Sequence, residues 1–274
     1  MPTSALLLVL AAAAVHAAWN ILLSAAPDVH SASAVAVLTG VLAFSPLAAV
    51  TWRLQAGAIP YLAGSGALET LYLALLATGY TVTAMSFVYP IARGSAPVLV
   101  LIISVAALGV SVSALAAAGV LVVAVGIVLV RGVGHATRLI DLALALSIGA
   151  CIAGYTLVDK HGIRHGNPIS YLEVVFALVA AAYLIAVWRL RGPTALREAI
   201  NRRSVLAGVG FFGAYALTLA ALRLAPAASV AAVRESSVVM ATAFLAGTRR
   251  EQVGAVRVLG AVAVAGGIAL VSLG

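Results

Sequence analysis

Apolar residues run along this chain in blocks of about 20, the length a helix needs to cross a bilayer, with short polar or turn-forming clusters between them. Ten blocks are read, at 4–25, 31–52, 60–80, 85–108, 112–131, 138–160, 168–189, 203–223, 227–247 and 253–273. Backbone polar groups in lipid must be satisfied within their own segment, so each block is expected to be one continuous helix. The tightest separators are Gly79-Tyr80 and Gly109 to Ser113, and the longest runs from Arg189 to Arg203.

The blocks repeat. Ser86–Val130 aligns without a gap on Ala227–Val271, at a constant separation of 141 positions, 93 to 234. Arg93 falls on Arg234, Ser95 on Ser236, Gly119 on Gly260 and Gly126 on Gly267. Further forward, Trp19-Asn20 lies loosely opposite Tyr155-Thr156, and Ser24 opposite Lys160. Ten spans in two copies put five in each, at residues 1–133 and 134–274. An odd number forces the copies into opposite orientation, so an all-α fold of two inverted five-helix repeats is expected.

Composition agrees with a chain dissolved in lipid. It is 64% hydrophobic and 9% charged, with mean hydropathy +1.17, whereas soluble domains carry roughly 25% charged residues. The net charge of +8 would suggest nucleic acid in a soluble protein. Here the arginines sit in loops beside anionic headgroups and no basic helix face carries interleaved aromatics, so no nucleic-acid partner is expected. The first block lacks a basic leader and a small-residue cleavage site, and is read as a retained span. Cys151 stands alone inside an apolar run, as a small packing residue. Loop arginines concentrate at Arg131, Arg138, Arg189, Arg191, Arg197, Arg202, Arg203, Arg249 and Arg250, which by the positive-inside rule makes those loops cytoplasmic and both termini external.

Three segments carry a family resemblance: HAAWN at His16–Asn20, YPIARGSAP at Tyr89–Pro97, and VAAVRESSV at Val230–Val238. They resemble the motifs of EamA-like transporters of the drug/metabolite transporter superfamily, and the likeness extends over essentially the whole chain. The resemblance implies ten helices around a central cavity, alternating access, and movement of small metabolites, often outward. It also implies cytoplasmic termini, against the loop-charge count. Two positions depart from the family pattern: Ser24 stands where a lysine is common, and Val110 where an acidic residue is common, although the counterpart Glu251 is present.

The polar points inside the spans are the candidate chemistry. Arg93 and Arg234 each lie about two turns into a span, where arginine costs on the order of 2.5–3.5 kcal/mol unless it faces protein or water. Either they offer bidentate positive charge to a substrate, or they snorkel to the interface. Glu235, beside Arg234, is a partner for an arginine or a proton carrier. Glu69 is the deepest carboxylate, costly to keep charged, and is the first choice for proton coupling; Tyr72 shares its face. His16, Trp19 and Asn20 also share one face, with His16 a second proton-handling candidate. Tyr155 and Tyr215 match family aromatic positions and, with Trp19, Asn20 and Tyr72, are expected at the substrate. Pro90 and Pro97 interrupt their helix and are candidate gating hinges. Asp159 and Lys160 read as a solvated pair at a helix end. The four glycines of the repeat are expected to let helices approach closely.

Nucleotide-binding, hydrolase, zinc-protease and paired-cysteine motifs are absent, so no catalytic residue, metal or cofactor is expected. The sequence thus predicts a multi-pass carrier in the cell membrane, the cytoplasmic membrane of a bacterium. It would move a small polar or amphipathic metabolite, amino-acid-like or drug-like, outward by alternating access with proton coupling. Its partners are a small-molecule substrate and membrane lipid, as monomer or homodimer. A flippase-like carrier of lipid-linked substrates, a membrane-embedded enzyme and a scaffold are the alternatives.

Overall fold

The computed structural model describes residues 1–82, 85–131, 139–249 and 254–274. Arg138, Arg250 and Glu251 lie outside them, as do the side chains of Tyr89 and Pro90. The described chain is helical: α1 (Thr3–Ser24), α2 (Val29–Val50), α3 (Ile59–Val82), α4 (Met85–Ala106), α5 (Ala114–Arg131), α6 (Leu139–Gly162), α7 (Pro168–Ala199), α8 (Arg202–Leu224), α9 (Ala227–Arg234), α10 (Ser236–Arg249) and α11 (Ala255–Leu273). Single 3₁₀ turns at Ala56–Ala58 and Ile163–His165 precede α3 and α7. Seven helices are long and apolar enough to cross a membrane, and two shorter apolar stretches, Ile91–Ala106 and Ala114–Val130, accompany them.

The helix ends follow local chemistry. Asp28 caps α2, accepting from the His30 and Ser31 amides at 3.1 and 3.4 Å and from the Ser31 hydroxyl at 2.6 Å. Asn167 caps α7 through the Ile169 amide at 2.8 Å, and Asn201 caps α8 through Arg203 and Ser204. Such caps contribute about 1 kcal/mol each.

Two expected helices differ. The block ending at 189 continues to Ala199, but turns at Gly192, whose φ of 82° lies in the left-handed region. Glycine takes that conformation without penalty, and Pro193 then starts a new helical segment. The block at 227–247 tightens at Glu235, where α9 passes into α10 through 3₁₀-type bonds, Glu235 N–H to Ala232 O at 3.2 Å and Val238 N–H to Glu235 O at 3.0 Å, with Glu235 still in the right-handed helical region.

Polarity is distributed inside out. Leu42, Val50, Leu139 and Leu190 are among the most exposed side chains, while Glu69, Arg93, Asp159, Arg234 and Glu235 are buried. Helix pairing obeys one rule: α1 packs on α8 and α3 on α6, while α2 packs on α7, α4 on α9 and α5 on α11. Exchanging the two halves leaves this pattern unchanged.

The α5–α11 crossing repeats the rule at atomic scale. A Cβ on Gly119 would meet the Gly267 carbonyl at 2.7 Å, and one on Gly126 the Gly260 carbonyl at 2.9 Å. The reverse contacts are as tight. The four repeat glycines are therefore where two backbones touch, as expected.

At the end bearing both termini the helices are tied together. The Met1 ammonium donates to the Ser272 carbonyl at 2.7 Å. The 51–55 segment pairs with the 165–170 turn: Asn167 N–H to Arg53 O at 2.7 Å, Gln55 N–H to His165 O at 2.8 Å, and Arg53 N–H to Ser170 Oγ at 3.1 Å. Lys160 donates to the Leu222 and Ala225 carbonyls, and Arg223 to those of Ile163 and Gly166. Tyr61 stacks on His161 and His165.

Candidate functional site

The site forms where the α9–α10 junction meets α4. Arg93, 2% exposed, projects from α4; Arg234, 4% exposed, ends α9. Neither snorkels. Arg93 Nη1 donates to Glu235 Oε1 at 3.1 Å, and Arg234 Nε lies 3.9 Å from the same oxygen. One carboxylate at the junction thus holds the equivalent arginines of both repeats. Pro97, buried one turn beyond Arg93, lacks the N–H that would bond the Arg93 carbonyl.

Other candidates surround this triad. Arg93 also contacts His16 Nε2. Arginine only donates, so the imidazole nitrogen there is an acceptor. His16 meets the Trp19 ring edge-on at 4.7 Å, and Trp19 meets Phe211 at 5.0 Å. Arg234 Nη2 donates to Tyr155 Oη at 3.4 Å, and its guanidinium carbon lies 5.9 Å from the ring centroid, within cation–π range. Tyr155 packs edge-on against Tyr72 and Tyr215, each at 5.8 Å.

His16, Trp19, Glu69, Tyr72, Tyr155, Tyr215 and Arg234 line one cavity of about 20 Å³, room for about one water. Asn20 lies outside it, lining a neighbouring apolar cavity of about 30 Å³ with Trp19, Leu73 and Phe211. A wider vestibule of about 740 Å³ follows, at the end away from the termini, lined by Asp28, His30, Thr70, Tyr183 and Arg191. Helix α3 lines all three spaces, with Glu69 and Tyr72 in the first, Leu73 and Ala77 in the second, and Thr70 and Thr78 in the third.

At the vestibule Arg191 pairs with Asp28 at 3.4 Å, and His30 Nδ1 bonds Tyr183 Oη at 2.9 Å. Partial burial works to raise the Asp28 carboxyl, but the Ser31 hydroxyl and amide, Arg191 and the His30 amide outweigh it and hold it below the usual carboxylate range.

Asp159 corrects the sequence reading. It is not a solvated partner of Lys160: it is wholly buried and accepts from Tyr171 Oη at 2.9 Å and from Tyr215 Oη. The signal that could have found it is its spacing, four residues after Tyr155 and therefore on the same helix face.

Residues 139–273 match the model of the EamA-like transporter family. The second half of the chain is thus similar to that family. The match and the seven apolar helices indicate a multi-pass integral membrane protein and suggest a membrane transporter of the drug/metabolite type. A solved crystal structure of a protein shares the fold at TM-score 0.80 and 15% sequence identity, covering 100% of this chain and 98% of its own. No curated protein matches the chain.

Proposed function

We propose that this EamA-like protein moves a small polar or amphipathic metabolite by alternating access, through ten crossings arranged as two inverted five-helix halves, 1–133 and 134–274. One observation carries the reading: Arg93 and Arg234, equivalent in the repeat, converge on the buried Glu235 between α9 and α10. Polar groups gathered at the interface of two repeats are the architecture of secondary transporter sites. The half-exchanging helix pairs and the reciprocal glycine contacts support the inverted arrangement. With α9 and α10 counted as one crossing, the ten blocks are retained.

Arg234, Glu69 and the rings of Trp19, Tyr72, Tyr155 and Tyr215 lining one chamber favour an amphipathic substrate with charged groups, amino-acid-like or drug-like. The cavity as it stands is too small for such a molecule, so the chamber has to open. The polar pairing of 51–55 with 165–170 closes the end bearing the termini. Its counterpart under exchange of the halves joins the Gly192 turn of α7 to the α1–α2 turn, where Asp28 and Arg191 meet. Alternation breaks one contact as it tightens the other, with Pro90 and Pro97 as hinges of α4. Export in the cell membrane, coupled to protons at Glu69, completes the reading.

Proteoliposomes test it with two probes, radiolabelled neutral amino acids and a lipophilic aromatic cation. At least one is expected to exchange faster through the wild type than through empty vesicles, and to fall at least roughly tenfold in Arg234→Gln, the loss of one charge-assisted hydrogen bond at the site. Glu69→Gln should keep exchange but lose substrate-driven proton movement. Wild-type rates equal to empty vesicles for both probes would contradict the proposal.

A further inference from the structure

A second buried carboxylate lies next to the chamber, toward the end bearing the termini. Both oxygens of Asp159 are engaged by phenols from different helices, Tyr171 of α7 and Tyr215 of α8. Ser65 of α3, wholly buried, sets its hydroxyl against Asp159 and Tyr171 without a well-formed hydrogen bond of its own. Lys160 turns away to the carbonyls that end α8. Tyr215 connects this cluster to the chamber, which it lines together with Glu69, and the Glu69 and Asp159 charges lie close enough to act on each other. Among the described residues, neither carboxylate has an ion-pair partner within 4.0 Å.

Charge counting then decides. The ionisable groups facing this space are Arg93 from α4, Arg234 from α9, Glu235 between α9 and α10, Glu69 and Tyr72 from α3, Cys151, Tyr155 and Asp159 from α6, Tyr171 from α7, Tyr215 from α8, and His16 from α1, the thiol and phenols being neutral. His16 accepts from Arg93 and supplies no positive charge. The two arginines therefore face three carboxylates. Full ionisation leaves one negative charge uncompensated, which is expensive where water and lipid headgroups are out of reach. One proton restores neutrality.

We propose that Glu69 and Asp159 form a two-carboxylate proton site that holds one proton between them while the chamber is empty and gives it up when a cationic group of the substrate enters. The proton leaves to the water of the open side as the substrate's positive charge takes its place, so the buried charge stays balanced in both forms. The titration belongs to the pair and not to either residue alone. Tyr171 and Tyr215 position Asp159 for it. This rests on the chamber being the transport site.

Infrared difference spectra of the full-length, substrate-free protein, taken between mildly acidic and alkaline buffers, test the site without any transport. The wild type is expected to show a protonated carboxylic acid carbonyl band. Glu69→Gln and Asp159→Asn should each lose that band, because two carboxylates then balance the two arginines and no proton is needed, and the double variant should lack it as well. Tyr215→Phe, which keeps the ring, should keep the band while moving its pH midpoint by roughly tenfold in proton concentration, the scale of one hydrogen bond to a charged group. An Asp159→Asn spectrum identical to the wild type, or a band surviving in the double variant, would overturn the proposal. Exchange of potassium for sodium chloride should leave the wild-type spectrum unchanged. A sodium-dependent loss of the band would reassign the site to a metal cation and refute the proton assignment. An intact band in a protein silent in vesicle exchange would instead count against the transport reading.

Discussion

Glu235→Gln is expected to remove roughly 3–5 kcal/mol of stability, the cost of leaving buried charge unpaired. A single oxygen of Glu235 serves both Arg93, at 3.1 Å, and Arg234, at 3.9 Å, and both arginines are almost wholly buried. Glutamine keeps the volume and one acceptor but not the charge, so two guanidinium groups are left facing each other across α4 and α9. Thermal unfolding of the detergent-purified protein measures the loss. Adding Arg93→Met, an apolar side chain of similar length, should recover part of it, because one of the stranded charges is then gone. Transport should not return, since the site has lost its charge pattern. Unfolding of Glu235→Gln at the wild-type temperature would show that the triad is not the centre of the buried network.

Gly126→Leu is expected to cost more than about 3 kcal/mol, beyond ordinary overpacking. The first atom of any side chain there meets main chain, the Val264 nitrogen at 2.8 Å and the Gly260 carbonyl at 2.9 Å. A backbone cannot swing aside as a side chain does, so α5 and α11 must separate. Lipid is as apolar as the residues it would replace, so close packing is what holds these helices together. Gly266→Leu is the control: a Cβ there has nothing within 4 Å, and the variant should fold as the wild type does. The yield and melting temperature of the two proteins decide between them, and equal behaviour would mean that the α5–α11 contact is not structural.

Much of this architecture was legible from the chain because lipid makes the code simple. Long apolar blocks become helices, and most boundaries fell within a few residues of the separators. The repeat glycines were readable because close approach leaves them no substitute. The convergence of Arg93 on Glu235 was less so: the residues are 142 positions apart, and no local pattern reports which helices meet. The tightening at Glu235 was hidden because nothing in Arg-Glu-Ser-Ser forbids a regular α-helix; tertiary charge pairing accompanies it. Asp159 was misread for a related reason. Its neighbour Lys160 and its place near the end of α6 both suggested water, but the turn that follows is packed against the 51–55 segment, and Lys160 found carbonyls of another helix. Gly192-Pro193 inside the arginine-rich stretch was the visible sign that α7 would turn and continue.

Paired spin-label distances test the central claim most directly. One pair, at the exposed positions Gln55 and Arg164, spans the end bearing the termini; the other, at Ala25 and Leu190, spans the vestibule. In proteoliposomes the account predicts two populations for each pair, with any condition that lengthens one pair shortening the other. A single fixed distance at both ends, or both ends lengthening together, would contradict it.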